Sequence, residues 1–149
     1  MKPSLDLKYH FYSSVHVVAD VDIIKEATPD SEFGYNFTTE VEVGQSENNE
    51  AEFQVKLTIK SEPAEGKLKG YDIELAIVGF VEADSSYPKD RRDGMVSVVG
   101  ASILYGAARD FLLTLTSRGP YPPVYLPTVS FIPDNEGNER PDKTSEIEE

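Results

Sequence analysis

Four stretches in the first half of the chain alternate between apolar and polar residues with a period of two, which predicts four β-strands. They run from Tyr9 to Ile23, from about Phe33 to Val43, from Ala51 to Lys60 and from about Leu68 to Val81. Short polar turns join these four strands, so we expect an antiparallel sheet with one face in water. The side chains expected to face the core are Tyr9, Phe11, Val15, Val17, Ala19, Phe33, Tyr35, Phe37, Val41, Val43, Phe53, Val55, Leu57, Ile59, Tyr71, Ile73, Leu75, Ile77 and Val81.

Helical spacing replaces the alternation after the polar segment 83–94, and a helix is expected to begin near Asp93 or Gly94. Apolar residues lie on more than one side of this helix, which predicts burial on more than one side. One sheet covers only one side, so we expect a second subunit to cover another. The residues predicted to form that interface are Ile103, Ala107, Ala108, Phe111, Leu112 and Leu115.

The end of the helix is marked by Arg118 in the last turn, Gly119 at the C′ position and then Pro120. The segment 120–133 holds five prolines and no charged residue, which predicts a stiff, extended loop rather than a central strand. Residues 134–149 are strongly acidic, which is typical of a disordered tail. We therefore expect an α+β fold with a single domain over residues 1–133, followed by the tail.

Composition narrows the classes of partner. The net charge of -13 argues against nucleic acid, whose binding proteins carry basic surfaces, and against electrostatic binding to an anionic membrane. The chain has no cysteine, so thiolate catalysis and disulfides are excluded. The N-terminus lacks a signal-peptide pattern, and no apolar run approaches the ~20 residues that span a bilayer. We expect a cytoplasmic protein without membrane insertion.

No arrangement of residues points to catalysis. His10 and His16 are six residues apart in the first strand, roughly 20 Å at ~3.3 Å per residue, too far to share a metal ion. Asp20 and Asp22 fit a solvated acidic face better than a catalytic pair. Phosphate-binding and dinucleotide-binding motifs are missing from the sequence. We expect no enzymatic activity, no metal and no cofactor.

The second half of the chain carries a longer pattern. It contains Ile103-Leu104-Tyr105, Ala108-Arg109, Leu112 and then the unbroken run Thr116-Ser117-Arg118-Gly119-Pro120-Tyr121-Pro122-Pro123-Val124-Tyr125-Leu126-Pro127-Thr128-Val129-Ser130-Phe131. This run resembles the SecB family of export chaperones, in which the region reads approximately I-L-(F/Y)-x-x-A-R, then (S/T)-R-G-x-(F/Y)-P-x-x-x-L-x-P-V-(N/S)-F. The four preceding strands fit the family's order of elements, so the resemblance extends over roughly residues 9–131.

The resemblance implies an ATP-independent holdase, a homotetramer built as a dimer of dimers, that holds unfolded or pre-secretory polypeptides in apolar grooves. The loop 119–129 would line the groove. The groove residues predicted in this way are Tyr121, Pro122, Pro123, Tyr125, Leu126 and Val129. The residues alone leave another interpretation open, in which these side chains only seal the helix against the sheet.

The chain departs from the family pattern in its C-terminal part and in its acidic motifs. The family's second helix is expected to be short or absent, because Phe131 leads almost directly into the acidic tail. That tail is neither basic nor of the zinc-binding kind found in exporters. Asp20, Glu62 and Glu65 are candidate acids for docking a partner. The candidate partners are a translocase motor and an antitoxin. The alternative functions for the chain are a small-ligand binding protein and an interaction scaffold.

Overall fold

The computed structural model describes residues 3–131 and contains one antiparallel sheet of four strands and one long helix. The strands are β1 (Leu5–Ala19), β2 (Tyr35–Gln45), β3 (Glu52–Pro63) and β4 (Tyr71–Ala83). The long helix spans Lys89–Thr116, and a single helical turn, α1 (Ile23–Glu26), lies between β1 and β2. The α+β class is confirmed. The segment beyond Phe131, with the expected short or absent second helix and the acidic tail, lies outside the described residues.

The sheet has the strand order β1-β4-β3-β2. Two hairpins place β2, β3 and β4 side by side, and β1 then adds to the far side of β4. Gly66 in the β3–β4 connection has a φ of 78°, a conformation that glycine adopts without a steric penalty. Within the subunit, β1 and β2 are therefore the two edge strands.

The helix covers one face of the sheet, which the alternation correctly predicts for β3 and β4. The core side chains of these strands are Phe53, Val55, Leu57, Ile59, Tyr71, Ile73, Leu75, Ile77 and Val81, all buried. Above them the long helix buries Val96, Ala101, Leu104, Ala108 and Leu112. The inward side chains of the strands and the apolar stripe of the helix thus pack together in a single apolar layer.

The predicted inward face of β1 is wrong for Tyr9 and Phe11, which are 58% and 44% exposed on the outer face. Register irregularities occur between Leu7 and Tyr9 and again between Tyr12 and Ser14. Each extra residue moves the following side chains to the other face. Tyr12 is consequently turned inward, where its ring lies 4.5 Å from that of Phe111.

The long helix begins at Lys89 with a 3₁₀ turn, earlier than the polar composition of this segment predicts. In the next turn Arg92 is buried and donates hydrogen bonds to the carbonyl oxygens of Tyr87 and Ser85, which ties the start of the helix to the loop before it. Further along, residues Val96–Gly100 form a π-helical turn. Gly100 lies so close to β3 that an added Cβ would be 2.9 Å from Val55 Cγ2.

By length and composition the long helix could cross a membrane. The sequence showed no unbroken apolar run of that length because charged and small residues interrupt it. Its most apolar stripe packs on the sheet, as the core helix of a globular domain does, so this criterion is weak evidence for a membrane span.

We expect Gly100→Val to lower the free energy of unfolding by about 2 kcal/mol, because the new side chain collides with Val55 in a packed core. Val55→Ala in the same chain should recover part of that loss by making room. Urea denaturation of the two single variants and the double variant measures the coupling. Strictly additive effects would contradict the close packing of the helix on β3.

Candidate functional site

The loop that follows the long helix is held by buried hydrogen bonds at Thr116. The Thr116 hydroxyl donates to the Leu112 carbonyl at 2.7 Å and accepts from the Val124 amide at 2.9 Å. The Tyr71 hydroxyl donates to the Thr116 carbonyl at 3.3 Å. Each buried polar group therefore has a partner, and the chain is turned back over the end of the sheet at a defined place.

Tyr121 fixes the first part of the loop. Its side chain is buried, and its hydroxyl donates to the Asp20 carbonyl at 2.5 Å, at the end of β1. Its ring packs against Phe33 and Tyr71, with centroid distances of 5.2 and 5.6 Å. Gly70 makes room for it, because an added Cβ there would lie 2.7 Å from the ring.

Gly119 allows the chain to leave the helix close to Tyr71. A glycine at the C′ position usually adopts the left-handed conformation, with a positive φ. Within residues 3–131 the glycine with a positive φ is Gly66 and not Gly119. A Cβ at Gly119 would lie 1.8 Å from the Tyr71 hydroxyl oxygen. The glycine is thus required by contact with the hydroxyl that caps Thr116, and not by backbone conformation.

The second part of the loop is fixed by Tyr105 of the long helix. Its hydroxyl donates to the Pro127 carbonyl at 2.5 Å, and burial raises the pKa of Tyr105 to about 12. Leu126 beside it is fully buried. The phenol therefore stays protonated and able to donate over the physiological pH range.

An open cleft lies between this loop and the start of β2, with a volume of about 320 Å³. We call it the loop cleft. Its lining residues, none of them charged, are Phe33, Gly34, Tyr35, Phe37, Pro122, Pro123, Val124, Tyr125 and Pro127. Tyr125 is 70% exposed, and Pro122 and Pro123 are exposed as well. The cleft adjoins β2, an edge strand with unpaired backbone groups within the subunit.

The structure divides the six predicted groove residues into three sets. Pro122, Pro123 and Tyr125 line the loop cleft. Tyr121 and Leu126 are buried and anchor the loop, so for them the sealing interpretation holds. Val129 is partly buried against the core.

The strand side of the cleft was not identified as a site from the sequence. Phe33 precedes β2, and Tyr35 and Phe37 follow at alternate positions at its start, and that alternation assigned them to the core. All three pack against the core but are only partly buried, so each also contributes surface to the cleft. Three aromatic residues at alternate positions leading into an edge strand were the available signal.

Two of the predicted interface residues are corrected. Ala108 and Leu112 are fully buried within the subunit, because their stripe is the one that packs on the sheet, so neither reaches a second subunit. Ile103, Ala107 and Phe111 are partly buried at the flanks of the helix, and Leu115 is 37% exposed. These four remain predicted interface residues.

The three candidate docking acids lie at one end of the sheet. Asp20 follows β1, Glu62 is near the end of β3, and Glu65 is in the β3–β4 connection. All three are exposed, and none forms a salt bridge with another described residue. The Asp20 carboxylate accepts a hydrogen bond from the Asp22 amide at 3.1 Å.

Comparison with known proteins gives a family match and similarity to solved structures. Residues 14–133 match the family model described as preprotein translocase subunit SecB. The Mycobacterium tuberculosis Rv1957 SecB-like chaperone, solved in complex with a ChAD peptide from the Rv1956 HigA1 antitoxin, is similar at 13% identity and a TM-score of 0.63. The match covers 85% of this chain and 91% of that one.

A Streptococcus agalactiae protein of unknown function is similar over 86% of this chain and all of its own, at 12% identity and a TM-score of 0.47. No curated protein matches the sequence.

The two tyrosines of the loop are expected to respond differently to substitution. Tyr121→Ser should lower the free energy of unfolding by about 3 kcal/mol, because it leaves a cavity and removes a partly buried hydrogen bond. Tyr125→Ser should change it by less than about 0.5 kcal/mol, since its side chain is exposed. Chemical denaturation measures both. Equal losses would contradict the separation into anchoring and cleft residues.

Proposed function

Since the chain belongs to the SecB family, we propose that it is an ATP-independent holdase that binds unfolded polypeptides in the loop cleft. The observation that carries the proposal is an open, uncharged cleft lined by Pro122, Pro123 and Tyr125 beside the free edge of β2. The family supports a chaperone role. The binding mode is inferred from the cleft.

The chemistry of the cleft suits clients of many sequences. Its aromatic and proline surfaces bind apolar side chains without demanding a particular charge partner. The edge of β2 offers backbone hydrogen bonds, which every polypeptide can form. Pro122 and Pro123 already restrict the backbone of the loop. The loop therefore loses little conformational entropy when a client binds.

The client class has two candidates. Export of pre-secretory polypeptides is the first, and in it Asp20, Glu62 and Glu65 would dock a translocase motor. A dedicated antitoxin is the second, favoured by the similarity to a SecB-like chaperone that binds an antitoxin peptide. A toxin–antitoxin gene pair beside this gene would favour the second, and co-purification with a translocase motor would favour the first.

We propose a homotetramer, a dimer of dimers, in the cytoplasm. The support is the family together with Leu115, an apolar side chain left partly exposed on the long helix. Tight stoichiometric binding of one metabolite would favour the alternative of a small-ligand binding protein.

The purified protein should suppress aggregation of a chemically unfolded substrate at stoichiometric ratios and without nucleotide. Tyr125→Ser should weaken client binding by about 1–2 kcal/mol, because it removes an exposed aromatic contact from the cleft. Light scattering of the substrate and fluorescence anisotropy of a labelled client measure the two effects.

Val21→Ser is the matched control, since Val21 is an exposed apolar residue outside the loop cleft. It should leave client binding unchanged. A parent protein that does not suppress aggregation would rule out the holdase. Equal losses for the two variants would rule out the cleft as its site.

We expect Leu115→Glu to reduce the oligomer to smaller species at micromolar concentration, because a charge placed in an apolar contact must be desolvated. Circular dichroism should show an intact subunit. Multi-angle light scattering measures the mass. A parent protein that is already monomeric would contradict assembly through the helix.

A further inference from the structure

The strand side of the loop cleft begins before β2, outside the regular ladder of the sheet. Pairing of β2 with β3 starts at Tyr35, whereas the cleft residues Phe33 and Gly34 precede that strand. Phe33 packs on the ring of Tyr121 and forms a parallel bridge with Leu68 in the β3–β4 connection. The position of this part of the cleft wall therefore depends on contacts outside the sheet.

Two backbone hydrogen bonds at Leu68 hold the segment 32–34. The Leu68 amide donates to the Glu32 carbonyl at 2.8 Å, and the Gly34 amide donates to the Leu68 carbonyl at 3.1 Å. A bridge of this length restrains the chain less than a continuous ladder does, because segments with few hydrogen bonds open locally at low cost. A further contact beside the bridge would therefore affect where the wall stands.

Lys67, the residue before Leu68, supplies such a contact. Its ammonium group donates a hydrogen bond to the Glu32 carboxylate at 2.8 Å and forms an ion pair with it. Its methylene stem lies against the backbone of Gly34, where an added Cβ would collide with Lys67 Cδ. One side chain thus contacts the segment at two of its three residues. We call the Lys67–Glu32 pair the latch.

The latch lies behind the wall and outside the cleft. Consecutive side chains of an extended chain point to opposite sides, so the stem of Lys67 on Gly34 is on the side away from Phe33 and Tyr35. Neither Lys67 nor Glu32 lines the loop cleft. A client in the cleft would not touch the latch, and any effect of the latch on binding must pass through the position of the wall.

The latch is accessible to solvent. The hydrogen bond from Lys67 lowers the pKa of Glu32, so the carboxylate stays charged at neutral pH. The side chains of Lys67 and Glu32 are 42% and 71% exposed. An ion pair with this exposure is weak and is screened by salt. Solution conditions that leave the apolar core intact can therefore open it.

We propose that Lys67 is a positioning residue for client binding. By pairing with Glu32 it holds the Phe33 side of the loop cleft against the β3–β4 connection, and so sets the width of the cleft opposite the proline-rich loop. The inference rests on the proposed function and extends it: a charge pair outside an uncharged cleft makes the affinity for clients depend on ionic strength.

The test uses the full-length protein and a peptide of apolar and aromatic residues with capped ends and a neutral fluorophore. Such a peptide carries no charge, so salt does not screen it directly. Lys67→Met keeps an apolar stem and removes the ion pair, and Glu32→Gln removes the pair from the other side. Lys69→Met is the matched control, because Lys69 lies in the same connection but pairs with Asp72 of β4 and not with the cleft wall.

At an ionic strength of about 0.02 M, Lys67→Met and Glu32→Gln should each bind the peptide about threefold more weakly than the parent, and Lys69→Met should bind it equally well. The double variant should lose no more than either single variant, because both changes remove the same pair. Raising the salt to about 0.5 M should weaken the parent to the level of Lys67→Met without weakening Lys67→Met itself. A merely structural role of the lysine stem would not give this salt response.

Equal affinities of the parent and Lys67→Met at low salt would overturn the latch and leave the loop cleft in place. Equal losses for Lys67→Met and Lys69→Met would do the same. A parent protein that does not bind the peptide at either salt concentration would overturn the loop cleft, and the latch with it.

Discussion

The position of the loop cleft depends on the buried hydrogen bonds around Thr116. One hydroxyl closes the last turn of the long helix and receives the Val124 amide from the loop, while Tyr71 of β4 donates to the carbonyl of the same residue. Each bond contributes only about 1 kcal/mol net, but leaving one buried partner unsatisfied costs more. Helix, sheet and loop are thereby joined at one residue, which fixes where the proline-rich surface faces.

Around that junction, inward and outward residues of the loop have separate tasks. Tyr121, Val124 and Leu126 are buried and bind the loop to the subunit. Pro122, Pro123 and Tyr125 face outward between them and remain available. Because the anchors are spaced through the loop, the exposed residues are presented on a rigid surface although they belong to no helix or strand.

Much of this architecture follows from periodicity, and the exceptions have local causes. The inward faces of β3 and β4 were predicted because both strands lie inside the sheet and keep a regular register. Tyr9 and Phe11 were misassigned because a bulge gives no signal in a pattern of apolar and polar residues. Phe33, Tyr35 and Phe37 were taken as core, since alternation shows which face a side chain is on but not that part of that face remains open as a cleft.

The pairing of β1 with β4 also affects how the chain folds. Leu5, near the N-terminus, must find Ala83, and all of β2 and β3 lies between them. During synthesis on the ribosome β1 therefore emerges first and waits, with Leu5 and Tyr12 not yet packed in the core, until β4 has left the exit tunnel. Such high contact order slows folding and prolongs the time in which an unpaired strand can aggregate. A nascent chain of this chaperone family would thus itself pass through the kind of state that a holdase protects.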